Sequence, residues 1–149
     1  MTSFHRTSSD NADFKGLVAL LDEDLQIRDG AEHAFYAQFN KVYMIKHVIV
    51  AYDGNNPVAC GAIKELNGES MEVKRMYTSP HSRGKGLASQ VLVELEKWAA
   101  ELSYNKCLLE TGKKQPEAIA LYLKSGYNII PNYGQYAGVE NSVCFEKEL

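Results

Sequence analysis

The sequence lacks the features that mark membrane-spanning, secreted and nucleic-acid-binding chains. It has 149 residues, and no apolar run approaches the length needed to cross a bilayer. No basic segment followed by an apolar one opens the chain, so we expect no secretory leader. The 19 acidic residues outnumber the 16 lysines and arginines, which gives a formal net charge of −3. This balance argues against nucleic acid as the main partner, and we expect neither a membrane nor a nucleic-acid partner.

Cysteine is also scarce, with Cys60, Cys107 and Cys144 each lying among apolar, strand-like residues. An odd count without a leader favours reduced thiols and a cytoplasmic location. The spacing of the three matches no metal site, so we expect them to be small core residues and predict no metal. We find no repeat, linker or low-complexity stretch, and the length suits one domain over residues 1–149.

The best-defined feature is a strand, a glycine loop and a helix in succession. Residues 71–77 alternate in polarity, residues 83–88 read RGKGLA, and an apolar stripe at helical spacing follows. The first N–H groups of a helix lack intrahelical partners and lie at the positive end of its dipole. Glycines let a phosphate approach the backbone closely, so the pattern indicates an anion site.

Two familiar phosphate loops fit this segment poorly. A mononucleotide P-loop needs an upstream glycine and a hydroxyl residue after the lysine, and Gly84-Lys85-Gly86 has neither. The dinucleotide fingerprint would need glycine at the position of Ser89.

A third pattern fits better: Arg83-x-x-Gly86-x-Ala88 resembles the [QR]-x-x-G-x-[GA] signature of the GNAT superfamily of acyl-CoA-dependent N-acyltransferases. The resemblance continues through residues 108–111 (LLET) and 118–127 (AIALYLKSGY), which are similar to the family's "LET…AxxLYxxxGF". One departure is Gln115, where the family often has asparagine, followed by Pro116.

The order of predicted elements is β-α-α-β-β-β-α-β-α-β-β, an α/β (α+β) chain with a mixed sheet. Asp10 is the expected N-cap of the first helix, Gly30 its end, and residues 33–40 a second short helix. Short turns at residues 53–57 and 67–69 make three strands antiparallel neighbours. Strand alternation predicts that Glu72 shares a face with Lys74, Met76 and Thr78, opposite Val73 and Tyr77.

The resemblance implies a GNAT-like, mostly antiparallel sheet of about seven strands with about four helices. It also implies that the sheet splits between its fourth and fifth strands to admit coenzyme A, with acetyl-CoA as the acetyl donor. Its cofactor contacts would come from Met76, Tyr77, Thr78, Arg83, Gly84, Lys85, Gly86, Leu87, Ala88, Gln115 and Tyr122.

Amine acetylation needs a base for the ammonium proton and an acid for the leaving thiolate. Glu72 is our candidate base, at the spacing from Arg83 where some family members place a glutamate. The alternatives are a salt bridge between Glu72 and Lys74, one of the rival carboxylates Glu65 and Glu110, or a water chain. Tyr122, at the tyrosine of the resembling helix motif, is the candidate acid, because a phenol is protonated at neutral pH.

The acceptor is the least determined part of the sequence. Aromatic and charged residues could line its pocket, and we assign Tyr36, Glu65, Arg75, Glu110, Tyr133 and Tyr136 to it. We expect direct transfer of an acetyl group to a primary amine of a small molecule, by a monomer or a homodimer. A non-catalytic acyl-CoA sensor and a protein lysine or N-terminal acetyltransferase remain alternatives.

Overall fold

A computed structural model of the chain describes residues 1–30 and 44–149. The helix predicted over residues 33–40, and with it Tyr36, lies outside the described residues.

The described chain forms one seven-stranded sheet in the order β1-β2-β3-β4-β5-β7-β6. Its strands are β1 (Thr2–Thr7), β2 (His47–Asp53), β3 (Asn56–Asn67), β4 (Ser70–Thr78), β5 (Lys106–Gly112), β6 (Asn128–Ile130) and β7 (Ser142–Glu148). Neighbouring strands are antiparallel except for β4 and β5, which are parallel because a helix connects them. The predicted mixed, mostly antiparallel sheet is confirmed.

Three α-helices flank the sheet in the described residues: α1 (Ala12–Asp29), α2 (Leu87–Glu101) and α3 (Pro116–Lys124). The predicted N-cap Asp10 is wrong by one residue, since Asn11 Oδ1 accepts the Phe14 N–H at 2.9 Å. Asn11 has the extended backbone that a cap requires, with φ −61° and ψ 126°. No helix in the described ranges has the length and apolarity to cross a bilayer.

The helices cover opposite faces of the sheet. On one face, α1 packs Phe14, Leu17 and Val18 against a cluster that includes Val48 and Val50. On the other face, α2 and α3 pack onto the central strands in a larger cluster, to which Met71, Val73, Val91, Leu92, Leu95 and Tyr122 belong. The free thiols of Cys60, Cys107 and Cys144 are all buried, as predicted.

The two parallel strands separate soon after they begin to pair. Pairing runs only from Ser70 opposite Lys106 to Glu72 opposite Leu108, although β4 continues to Thr78 and β5 to Gly112. Beyond Leu108, β5 pairs only with β7 among the strands of the described residues. The expected split between the fourth and fifth strands is therefore present.

A β-bulge interrupts β4 at the same level. Cys60 pairs with Tyr77 and Ala62 with Lys74, so Gly61 alone faces both Arg75 and Met76. Arg75 has φ 60°, a conformation that is rare outside glycine. Glycine suits the opposite position, because a Cβ on Gly61 would lie 2.5 Å from Met76 Sδ and 2.9 Å from the buried side chains of Leu95 and Val91.

The bulge overturns the predicted alternation beyond Lys74. Met76 packs with Val73 in the cluster under α2, whereas Tyr77 packs in the cluster under α1. One inserted residue exchanges the two faces of every later position in the strand. Alternation had predicted that Glu72 shares a face with Met76 and lies opposite Tyr77. This prediction is wrong, because Met76 lies on the opposite face and Tyr77 on the face of Glu72.

Candidate active site

A cavity of about 570 Å³ occupies the split between β4 and β5. Its lining comes from α1, β4, the glycine loop, the end of β5, α3 and the loop between β6 and β7. The structure brings together there the sequence-predicted residues Glu72, Arg75, Met76, Tyr77, Thr78, Arg83, Gly84, Gly86, Leu87, Ala88, Glu110, Gln115, Tyr122 and Tyr136.

The glycine loop presents unpaired donors to this cavity. Gly84 and Gly86 have φ 78° and 79°, and Gly86 is the N-cap of α2. The first helical bond runs from the Gln90 N–H to the Gly86 carbonyl at 3.1 Å. Within the described residues, the N–H groups of residues 84–89 donate to no main-chain carbonyl. These donors lie at the positive end of the α2 dipole, a geometry that suits an anion.

Arg83 fixes the start of this loop to the end of β4. Its Nε donates to the Thr78 carbonyl at 2.9 Å, and its guanidinium lies 5.7 Å from the centroid of the Tyr77 ring. Lys85 instead borders a separate depression together with Asp53 and Glu94. The loop therefore contributes main-chain donors to the main cavity, while the Lys85 side chain lies beside it.

Glu72 lies at the point where β4 and β5 separate and is 6% exposed. Its Oε1 lies 3.2 Å from Lys74 Nζ, and its Oε2 accepts the Tyr133 hydroxyl at 2.6 Å. Burial, and then the nearby Glu72 charge, raise the pKa of Tyr133, so its hydroxyl remains a donor. Glu72 thus forms the salt bridge with Lys74 and also lines the cavity.

The two rival carboxylates occupy different environments. Glu110 on β5 lines the cavity and accepts the Ser142 hydroxyl at 2.7 Å. Glu65 accepts the Tyr104 hydroxyl at 2.7 Å in an exposed position and is not part of the cavity lining. Only Glu72 and Glu110 of the three candidate bases therefore share the cavity.

Tyr122 reaches the cavity from α3 and is 6% exposed. Its ring centroid lies 5.9 Å from that of Tyr127 and 5.7 Å from that of Phe145. Burial first, and then the charge of Glu110, raise the pKa of Tyr122, so the phenol is protonated at neutral pH. In the described part of the chain its hydroxyl has no hydrogen-bond partner, which leaves a buried donor at the cavity wall.

The loop between β6 and β7 folds inward over the site. Asn132 Nδ2 donates to the carbonyls of Val139 and Ser142, each at 3.0 Å, and so closes the loop on itself. The rings of Tyr133 and Tyr136 meet edge to face, with centroids 6.0 Å apart. Tyr136, 3% exposed, lines the cavity, whereas Tyr133 contacts Glu72 without lining it.

A buried polar network behind Tyr122 was not predicted. Tyr127 donates its hydroxyl to Glu96 Oε2 at 2.9 Å, and Lys147 Nζ donates to Glu96 Oε1 at 2.9 Å and to the Ser125 carbonyl at 3.0 Å. The network joins α2 and β7 to the C-terminal end of α3. The available signal was Tyr127 itself, which stands where the resembling motif has phenylalanine.

The contribution of α1 was also missed. Leu21, Asp24, Leu25 and Arg28 line the cavity, and Arg28 forms ion pairs with Asp24, at 3.3 Å, and with Glu117 of α3. Asp24 and Arg28 follow Leu21 by three and seven residues, so they lie on the same helix face as Leu21. That spacing was the signal that could have found them.

Comparisons with known proteins agree with this geometry. Residues 14–127 match the sequence model of the acetyltransferase (GNAT) family. The uncharacterized N-acetyltransferase YsnE of Bacillus subtilis (strain 168) is 35% identical over 66% of this chain and 67% of its own length. An IAA acetyltransferase of Azospirillum brasilense is 36% identical over 68% of this chain and 67% of its own.

Solved structures extend the match to the whole chain. A protein from Klebsiella pneumoniae subsp. pneumoniae MGH 78578, described provisionally as an acyl-CoA N-acyltransferase, has 29% identity and a TM-score of 0.84 over 100% of this chain and 98% of its own. A GNAT family acetyltransferase from Elizabethkingia anophelis with acetyl-CoA bound has 17% identity and a TM-score of 0.71 over 99% of this chain and 98% of its own. The second likeness concerns the fold alone.

Proposed function

The chain belongs to the GNAT family and is an acyl-CoA-dependent acyltransferase, and from this premise we propose that it acetylates a primary amine of a small molecule. The observation that carries the proposal is the position of Glu72 and Tyr122 on the two sides of one cavity in the split. Their chemistry matches the two proton transfers that direct acetyl transfer requires.

The residues present fit coenzyme A. The loop supplies main-chain donors for its phosphates, and no atom lies within 4 Å of the position that a Cβ on Gly86 would take. Beyond Glu72, the edge of β4 facing the split has no strand partner within residues 1–30 and 44–149, so its main-chain groups can pair with an extended amide chain. Gln115 lines the same cavity, where the family often has asparagine. When bound, acetyl-CoA supplies an activated thioester.

Glu72 would take the proton that the acceptor ammonium must lose. Lysine-like amines have a pKa of about 10.4, so few are neutral at pH 7 without a base. Each carboxylate oxygen has two lone-pair sites, so the contacts with Lys74 and Tyr133 leave acceptor capacity for the amine. Glu110 faces the same cavity and is the alternative base.

Tyr122 would donate its hydroxyl proton toward the leaving sulfur. Its raised pKa keeps it protonated in the resting enzyme, and its buried hydroxyl has no described partner that would compete. Donation becomes most favourable as negative charge develops on sulfur, which is how a catalytic acid acts on kcat.

A small acceptor is favoured over a protein acceptor because of the loop between β6 and β7. The loop is closed by Asn132, contacts Glu72 through Tyr133 and lines the cavity with Tyr136, so it bounds the cavity beside the candidate base. A peptide acceptor would need an open groove there.

The test is an assay of a panel of small amines with detection of the free thiol of coenzyme A. We expect thiol release with at least one amine and a matching N-acetyl product by mass spectrometry. Binding of acetyl-CoA without thiol release for any amine or peptide would support the sensor alternative. Release with peptides only would support the protein acetyltransferase.

A further inference from the structure

Arg75 is the most unusual residue in the cavity wall. It occupies the bulge of β4 with φ 60°, and its side chain is only 4% exposed. Strained non-glycine residues persist where the surrounding structure holds them, and they concentrate at binding and catalytic sites. Bulges beside active sites commonly redirect a side chain. The outlier therefore raises the question of what this guanidinium contacts.

The bulge itself is held in place from the side of α1. Cys60 Sγ donates to the Arg75 carbonyl at 3.3 Å, and burial raises the pKa of Cys60 to about 12, so the thiol stays protonated. Arg75 Nη1 donates to Asp22 Oδ1 of α1 at 3.0 Å. The Asp22 contact places the side chain on the α1 side. Glu72 lies on that side too, because its neighbours Met71 and Val73 pack in the cluster under α2 and α3.

Most of the hydrogen-bonding capacity of Arg75 remains available. Guanidinium has five N–H donors in a rigid fork, and only the Nη1 contact with Asp22 occurs within residues 1–30 and 44–149. That carboxylate is 49% exposed at its side chain, so solvent screens its attraction. Arg75 thus lines the cavity as a buried cation with donors left over.

Four other cations among the described residues line the cavity, of which Arg83 is exposed and donates to the Thr78 carbonyl, and Lys124 is exposed. Lys74 is held by Glu72, and Arg28 by Asp24 and Glu117. Their side chains are 15% and 26% exposed, against 4% for Arg75. Arg75 is the most buried of the five, and it is therefore the best placed of them to bind an anionic group that enters from the cavity.

We propose that the acceptor carries a carboxylate as well as its amine, and that Arg75 binds this carboxylate while Glu72 faces the amine. The planar fork of arginine matches a carboxylate, and the bidentate pair fixes orientation as well as charge. Three residues of strand separate the two side chains, a span of about 10 Å between backbones that the long side chains shorten. The acceptor class is accordingly compact amino acids. This inference rests on the proposed acetyltransferase function of the same cavity.

The first test uses the wild-type enzyme and matched acceptors: amino acids, their carboxamides and the corresponding amines without the carboxyl group. We expect kcat/KM to be about 10- to 100-fold higher for the acid than for its carboxamide, the range for a hydrogen-bonded charged partner. Converting the acid to its amide lowers the pKa of the amine, so a larger fraction of the amine is neutral and able to attack at pH 7. A preference for the acid would therefore have to come from binding.

The second test changes the arginine. Arg75→Met should bring the ratio of kcat/KM for acid and amide close to 1, chiefly by raising KM for the acid, and Arg75→Lys should restore part of it. Asp22→Asn should preserve or increase the ratio, because it removes the internal competitor for the fork. Arg6→Met is the matched control, since Arg6 pairs with Glu101 outside the cavity lining.

The outcomes separate this inference from the proposed function. If acid and carboxamide are acetylated equally well by the wild-type enzyme, the Arg75 assignment is wrong although amine acetylation stands. A ratio unchanged by Arg75→Met would also overturn it, as would an equal loss in Arg6→Met. If no amine of any kind releases the thiol, the proposed function itself fails.

Discussion

Replacing Tyr127 by phenylalanine removes one hydroxyl from the network behind the candidate acid. The hydroxyl donates to Glu96 Oε2 at 2.9 Å, and both residues are buried, at 2% and 9% exposed. A hydrogen bond to a charged group contributes about 1.5–3 kcal/mol. Glu96 would keep Lys147 as an ionic partner, so its charge would not be left unpaired. We therefore expect the lower half of that range, about 1.5–2 kcal/mol.

The free energy of unfolding can be measured by urea titration and the Tm by calorimetry. For a chain of this size the expected loss corresponds to a fall in Tm of about 5 °C. Tyr104→Phe is the matched control, because that hydroxyl also donates to a glutamate, Glu65, but in an exposed position. Equal destabilisation by the two substitutions would refute the argument that burial makes the Tyr127 bond valuable.

The pH dependence of the same contact has a definite sign. Burial is the main cause that raises the pKa of Tyr127 in the folded state. The folded protein therefore retains the phenolic proton at pH values where the unfolded chain loses it, above about 10. The contribution of Tyr127 to stability should be constant below that pH and should decline above it. In Tyr127→Phe, this part of the alkaline decline should disappear.

Tyr127 should also affect catalysis through Tyr122. The rings are in edge contact, and the Tyr127 N–H donates to the Tyr122 carbonyl at 3.0 Å. If Tyr127→Phe lowers kcat by shifting Tyr122, it should lower kcat no further in a Tyr122→Phe background. Additive losses would show that Tyr127 acts by another route.

Three further predictions concern the cavity directly. Gly86→Val should abolish most of the thermal stabilisation by acetyl-CoA, which is about 2.7 kcal/mol at 100 times Kd. The reason is that φ 79° strains a branched residue, whose side chain would also enter the space for the phosphates. An unchanged melting shift would disprove the loop assignment. Tyr122→Phe should lower kcat by about 10²–10⁴-fold with little effect on acetyl-CoA binding in calorimetry, whereas a loss of stability alone would make it a packing residue. Glu72→Gln should flatten the acidic limb of the kcat/KM pH profile, with Glu65→Gln as the control outside the cavity. A wild-type profile for Glu72→Gln, together with an impaired Glu110→Gln enzyme, would transfer the role of base to Glu110.

The sheet and the glycine loop could be predicted because local chemistry determines them. Glycine and asparagine turns set the antiparallel order of β2, β3 and β4, and the helical crossover made β5 parallel. The end of α3 was equally readable, since Gly126 has φ 93° one residue after the C-cap. In each case the residue type itself indicates the local backbone conformation.

The bulge could not be predicted for the converse reason. The residue with a left-handed backbone conformation is Arg75 rather than a glycine. The glycine at the bulge, Gly61, lies on the neighbouring strand β3, where it makes room for Met76 and forms no turn. Alternation therefore placed Met76 on the wrong face. The Tyr127–Glu96 contact was hidden in a similar way, because it joins residues 31 apart in sequence. Tertiary contacts of this kind leave no periodic pattern.

The split and the bulge together explain why the candidate base and the proposed carboxylate site lie where they do. Pairing with β5 stops at Glu72, so beyond that residue β3 is the only strand in the described part of the chain that pairs with β4. A strand held on one edge can accommodate an extra residue, and the insertion at Arg75 exchanges its faces just as the cavity opens. Without the bulge, alternation would turn residue 75 toward α2 and away from Glu72. The inserted residue instead leaves both side chains on the α1 side, where Arg75 pairs with the half-exposed Asp22. The strained conformation of Arg75 thus places the candidate base and the proposed carboxylate-binding cation on the same side of one strand.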